Sequence, residues 1–166
     1  MYYIKNFLLY SLSGFIMEST LFKIVSCPKK SGIFYGPMTA VYGVGIIAIL
    51  LLNKYFFKKI KCNKYFKYLI EFITLTIILS LIEYIGGNTL HKLFNIDMWN
   101  YSKKFLNIGK YICLINSLIW GLLGVLFIHI LKPFTDKIIN IITTKETIIA
   151  SVLFITDLLA VLILKL

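Results

Sequence analysis

The chain has 166 residues, 59% of them hydrophobic, and a mean hydropathy of +0.85. Soluble domains are about 45–50% apolar and a fold this small has too little interior to hide the excess, so a soluble globular domain is excluded and lipid must take up the remainder. The formal net charge of +11 comes from lysines without a single arginine; arginine is the residue suited to forked contacts with phosphates and bases, so no nucleic-acid partner is expected, and the anionic face of a bilayer is favoured instead.

Five apolar stretches are long enough to span a bilayer, which takes about 20 residues: 4–25, 37–57, 65–86, 111–131 and 147–164. They predict an all-α, polytopic transmembrane helical bundle of about five spanning helices plus short interfacial or re-entrant segments, forming a single integral membrane domain over 1–166. The first stretch ends in Ile24-Val25-Ser26-Cys27, which looks like a lipoprotein cleavage box. Glu18 and Lys23, however, interrupt the apolar run that a signal peptide needs, and the stretch reads as a retained span. Ser11, Gly14 and Glu18 are four and three residues apart and so share one helix face. An acid near mid-bilayer costs about 2.5–3.5 kcal/mol, so Glu18 is expected to face a helix or cavity rather than lipid. Gly36-Pro37 opens the second stretch, where proline suits a first helical turn. Tyr42, Gly43 and Gly45 follow, the glycines permitting close approach of a helix or ligand.

The next connection carries Lys58, Lys59, Lys61, Lys64 and Lys67, just after Lys54, with no acid among them. Lysine bias in short loops assigns this connection to the cytoplasm, together with the N-terminus and the region of Lys132, Lys137 and Lys145. The whole-chain tally is ten lysines against eight, so the orientation rests on that one loop. In the third stretch Thr76, Ser80, Glu83 and Gly87 recur at helical steps and form a polar stripe. Glu71, near the lysine loop, is expected in an interfacial ion pair. Residues 87–110 are too polar to span: Leu90, Leu93 and Phe94 fit a short interfacial helix, or the segment dips back where protein shields its backbone. Ser117, Gly121 and Gly124 make a small-residue ridge in the fourth stretch, beside Asn116 and Trp120. An amphipathic surface piece is expected around 132–146. Asp157, near the middle of the last stretch, is expected in a local hydrogen bond or packing contact.

Cys27, Cys62 and Cys113 are too few and odd for a disulfide framework, and His91 and His129 lack ligand neighbours at helical spacing, so no metal and no cofactor is expected. The sequence holds no G-x-x-x-x-G-K-[ST] phosphate loop, serine elbow or dinucleotide fingerprint, and an enzyme is not expected.

Several motifs have a familiar order and spacing: Tyr10-Ser11-Leu12-Ser13-Gly14-Phe15-Ile16-Met17-Glu18, Tyr35-Gly36-Pro37, Tyr42-Gly43-Val44-Gly45, Leu81-Ile82-Glu83-Tyr84, Trp99-Asn100-Tyr101-Ser102, Asn107-Ile108-Gly109 and Trp120-Gly121, with His129 before Lys132-Pro133. On these the chain resembles the bacterial family of ABC-transporter permeases labelled type IV, or CmpB-like, from about Phe7 to Phe134. It departs from the family pattern at Ser31-Gly32, where an Arg-Gly pair is common, at Ala40, often proline, and at Asn100, often Asp. The resemblance implies a multi-pass membrane transport component whose ATPase is a separate subunit, or which works as a homo-oligomer. Combined with the topology, it gathers Glu18, Gly36, Pro37, Tyr42, Gly43, Glu83, Trp99, Asn100, Tyr101 and Asn107 at the outer face as a candidate binding site. There Glu18 and Glu83 are expected to share a proton or a lysine, Lys23 or Lys110. The alternatives are a substrate-capture subunit of an energy-coupling importer, a membrane-embedded enzyme acting on lipid or envelope precursors, and a non-catalytic membrane assembly protein.

Overall fold

A computed structural model describes residues 1–24 and 31–165; Cys27 and the sequence around it lie outside these. Five helices are long and apolar enough to cross a membrane. Helix α1 covers Tyr2–Ile24, α2 Ala40–Tyr55 and α3 Lys64–Phe94. The fourth crossing is continuous over Leu114–Ile141 and consists of α4 (Leu114–Leu126), a π-helical turn (Phe127–Leu131) and α5 (Lys132–Ile141). The last is α6, Thr144–Lys165. A two-residue antiparallel hairpin, β1 (Asn107–Ile108) with β2 (Ile112–Cys113), is the only sheet among the described residues.

The boundaries follow from local chemistry. Asn63 caps α3 by accepting the Tyr65 N–H, which satisfies one of the donors a helix start leaves unpaired. Asn95 ends the helix in the left-handed region, at φ 53°, a conformation asparagine tolerates. Between these caps α3 is 31 residues long, about 46 Å at 1.5 Å per residue. The helix therefore carries Leu90, Leu93 and Phe94 as its own last turns, in place of the separate interfacial helix expected there. In the fourth crossing, Pro133 lacks the N–H that would bond the His129 carbonyl, and its ring crowds that carbonyl. The preceding turn widens to π geometry, and the expected surface piece continues the same helix as α5.

Helix α1 packs mainly on α2 and α3 mainly on α4, with α2 joining the two pairs. The central apolar cluster holds Ile46, Ile49 and Leu50 of α2, Leu75 and Leu79 of α3, and Phe127 and Ile128 of the π turn. One end of the bundle collects the start of α1, the lysine-rich turn and α5: Tyr3 packs against the cluster that includes Phe57, Tyr2 donates to Asp136 at 2.7 Å, and Lys5 donates to the Ile139 and Ile142 carbonyls. The opposite end collects residues 31–39, the loop after α3 and the end of α6. There Ile33, Phe34 and Val161 form a second cluster with Leu90, Phe94 and Ile96. Helix α6 is peripheral: of its side chains only Thr147 and Val161 are buried, and the leucines and isoleucines it exposes form a lipid-facing surface.

Candidate functional site

The second end of the bundle holds two carboxylates near one another. Glu18, four turns into α1, accepts hydrogen bonds from Ser31 Oγ at 2.6 Å and from Tyr42 OH at 2.8 Å. Ser31 is in turn bonded to Thr39 Oγ1 at 2.8 Å. The Thr39 N–H donates to the Ser11 carbonyl at 2.9 Å, which fixes the start of α2 against α1. Glu83, on α3, accepts from Tyr101 OH at 2.8 Å through one oxygen and from Trp120 Nε1 at 3.2 Å through the other. The Tyr42 and Trp120 rings meet edge to face, their centroids 5.5 Å apart. One run of contacts therefore joins Glu18, Tyr42, Trp120, Glu83 and Tyr101, and the two carboxylates lie within electrostatic reach of each other. Helices α1 and α3 need not pack side by side for this, because Tyr42 from α2 and Trp120 from α4 bridge them.

A cavity of about 220 Å³ opens beside this run. Its walls include Glu83, Tyr42, Trp120, Tyr10 and Phe127, the last two also meeting edge to face at 5.3 Å. Among its lining residues Met17 of α1, Leu123 of α4 and Leu131 of the π turn are exposed, on the flank between α1 and the fourth crossing. A larger groove of about 360 Å³ lies at the other end between α1, α5 and α6, but its walls are mostly aliphatic and Lys5 at its rim is already bonded to carbonyls next to it.

Of the residues singled out from the sequence, Glu18, Glu83, Tyr42 and Tyr101 meet here. Gly43 is a packing position, since a Cβ there would collide with Ser11 and Phe7. The Gly36 and Tyr35 N–H groups donate to the two oxygens of Asp157 at 2.8 and 2.9 Å. These bonds anchor the segment that contains exposed Pro37 to α6, so Asp157 makes a long-range contact in place of the local hydrogen bond or packing contact expected of it. Asn100 accepts from the N–H and hydroxyl of Ser102, and Asn107 donates to the Gly109 carbonyl; both serve turns of their own loop. Trp99 packs against Tyr111, its centroid 6.4 Å away, and its indole N–H is buried with no partner among the described residues.

Neither acid is paired with a lysine among the described residues. Lys110 instead forms an ion pair with Asp97, which also accepts from Tyr111 OH at 2.6 Å and meets His91 Nδ1 at 3.0 Å. This clasp fastens the loop after α3 to the start of the hairpin. Lys110 and Tyr111, through their hydrogen bonds, hold the Asp97 carboxyl below its ordinary value. Burial, followed by the hydrogen bond to Asp97, pushes the Tyr111 phenol up to about 12. The Tyr101 phenol is also raised, by burial and then by Glu83. Both phenols therefore remain donors at neutral pH.

A third acid is buried in the other half of the bundle. Glu71 is 1% exposed and meets His129 Nε2 at 2.6 Å, while its other oxygen has no partner. It is thus bound to a histidine of the π turn rather than to the nearby lysines. Sequence reasoning missed Asp97, Ser31 and the pairing of Glu71 with His129. Each depends on residues brought together from distant positions, and only the lone His129 inside an apolar run could have drawn attention to the last.

The model of the family described as "Putative ABC-transporter type IV" matches residues 5–164. No curated protein and no solved structure matches the chain.

Proposed function

The chain belongs to the type IV ABC-transporter family, and from that premise we propose that it is the membrane subunit of a solute transporter whose binding site is the cavity lined by Glu83. The observation that carries the reading is the joining of two intramembrane acids, from α1 and α3, through Tyr42 and Trp120, with Glu83 and both rings lining one cavity and Glu18 reaching it only through Tyr42. Intramembrane acids are costly and are retained where they serve a pathway or a ligand. Packing alone would be served as well by apolar side chains in both places. The sequence lacks a phosphate loop, so ATP hydrolysis must come from another chain.

In this reading the single domain is embedded with the lysine-rich turn, and hence the N-terminus, in the cytoplasm. The Glu18–Glu83 end then faces outward. A membrane-impermeant thiol reagent applied to intact cells should leave exposed Cys62 unmodified; labelling of Cys62 would reverse the orientation.

The functional reading is tested by mild solubilisation and affinity purification from native membranes. An ATP-hydrolysing subunit should co-purify. Glu18→Gln and Glu83→Gln, which keep shape and remove charge, should insert and assemble normally and lose solute-dependent ATPase activity. Recovery of the chain alone under every mild condition would defeat the transport assignment.

A further inference from the structure

We propose that the cavity beside Glu83 binds a small organic ammonium cation, with the Glu83 carboxylate as counter-ion and the rings of Tyr10, Tyr42, Trp120 and Phe127 as its walls. The proposal deepens the transport reading and rests on it for the location of the site. Four observations converge.

First, among the described residues the site has carboxylates and no cation. Among the described residues, no lysine or histidine forms an ion pair with Glu18 or Glu83; their partners are neutral hydroxyl, phenol and indole groups. Such donors orient a carboxylate and leave its charge uncompensated. An anionic ligand would be repelled, and a cation supplies the missing charge.

Second, the walls are aromatic. Two edge-to-face pairs, Tyr10 with Phe127 and Tyr42 with Trp120, border the same space. Ring faces attract alkylated ammonium groups held within about 6 Å of the centroid.

Third, the remaining wall is apolar, formed by residues such as Ile46, Ile49 and Leu79. Hard metal ions need a shell of six or more oxygens, and no group of three or more His, Cys, Asp or Glu side chains suited to a metal occurs among the described residues. A sugar would leave most of its hydroxyls without partners against such walls. A methylated or otherwise substituted ammonium needs no such hydrogen bonds.

Fourth, the volume of about 220 Å³ falls below the roughly 300–1,000 Å³ of drug-sized ligand sites. The occupant is therefore small, or is the head of an amphiphile whose chain leaves through the flank between α1 and α4.

The test uses the full chain in lipid nanodiscs, with Trp99→Phe so that emission reports Trp120 alone. Choline and its uncharged isostere 3,3-dimethylbutan-1-ol are titrated in parallel, as are dodecyltrimethylammonium and uncharged dodecyl maltoside. A saturable emission change is expected with the cation of at least one pair and not with its neutral counterpart. Glu83→Gln should weaken it by about tenfold or more. Saturation by choline identifies a water-borne cation; saturation by dodecyltrimethylammonium alone identifies a membrane-borne one. Binding of neither cation, equal binding of an uncharged counterpart, or an unchanged affinity in folded Glu83→Gln overturns the proposal. The charged-against-neutral comparison decides the matter even where that variant fails to fold. Failure here while an ATPase still co-purifies leaves the transport reading standing, and loss of the partner leaves cation binding unaffected.

Discussion

Helix α3 carries a buried acid in each half of the bundle, and the two are satisfied in opposite ways. Glu71 and Glu83 are 12 positions apart in the sequence, about 18 Å along the helix. Glu71 is shut inside the α3–α4 contact, bound on one side to His129 and on the other to nothing described. Glu83 has a neutral donor on each oxygen and a cavity at its side. Glu71, 1% exposed and bonded to an ionisable partner, acts as a structural pair. The charge of Glu83 is oriented and left available, as a binding group requires. The difference lies in what the fourth crossing presents: a histidine on the π turn before Pro133 in one half, an indole beside Gly121 on α4 in the other.

The largest effect should come from removing His129. Glu71 is buried while His129 is exposed, so deleting the histidine leaves a buried carboxyl without its partner, at a cost of about 3 kcal/mol, the upper end for an unsatisfied buried group. His129→Leu should therefore lower thermal stability sharply in detergent, and adding Glu71→Gln should restore most of the loss. Equal stability of His129→Leu and the native chain would erase the contrast between the two acids. Next in size is Tyr101→Phe. A hydrogen bond to a charged group contributes about 1.5–3 kcal/mol, and its loss should loosen the loop after α3 and expose Glu83. Faster proteolysis within 96–106, with α3 and α4 still intact, is the expected result. Protection unchanged from the native chain would mean that the loop is held without Glu83.

The smallest effect is a pH dependence of the Asp97 clasp. Held below its ordinary value in the folded chain, Asp97 binds its proton less readily there than when unfolded. Its contribution is complete above the ordinary carboxylate range and is lost as pH falls through the lower folded value. Trp99, which packs on Tyr111 beside the clasp, reports this: in a Trp120→Phe chain its emission should stay constant at neutral pH and shift only in acid below about pH 4. A shift centred near neutrality would mean that a group other than Asp97 controls the loop.

The spans were legible because lipid imposes a simple demand: about 20 apolar residues in a row, whatever their neighbours. Their ends were less so. The third span was expected to stop near Gly86 because polar residues begin there, yet α3 continues to Phe94, where protein contacts replace lipid: a Cβ at Gly87 would run into Tyr111, and Leu90 and Phe94 pack with Ile33 and Phe34. Helical spacing correctly placed Glu18 and Glu83 on polar faces, because periodicity fixes the face from the local sequence alone. It said nothing about partners. Tyr101 reaches Glu83 from 18 residues away and Trp120 from 37, and no local pattern encodes those distances.

By itself, the sequence determined that this protein lives in a membrane, that it crosses as helices, and which faces of those helices are polar, since composition and period act residue by residue. The tertiary structure decided which polar faces meet. It gave the Gly36 N–H to Asp157, Lys110 to Asp97 and Glu71 to His129, and among the described residues it left Glu18 and Glu83 to neutral donors. The reason is geometric: a hydrogen bond forms only within about 3 Å, and in a bundle of this kind that proximity is set by how α2 and α4 wedge their Tyr42 and Trp120 rings between α1 and α3.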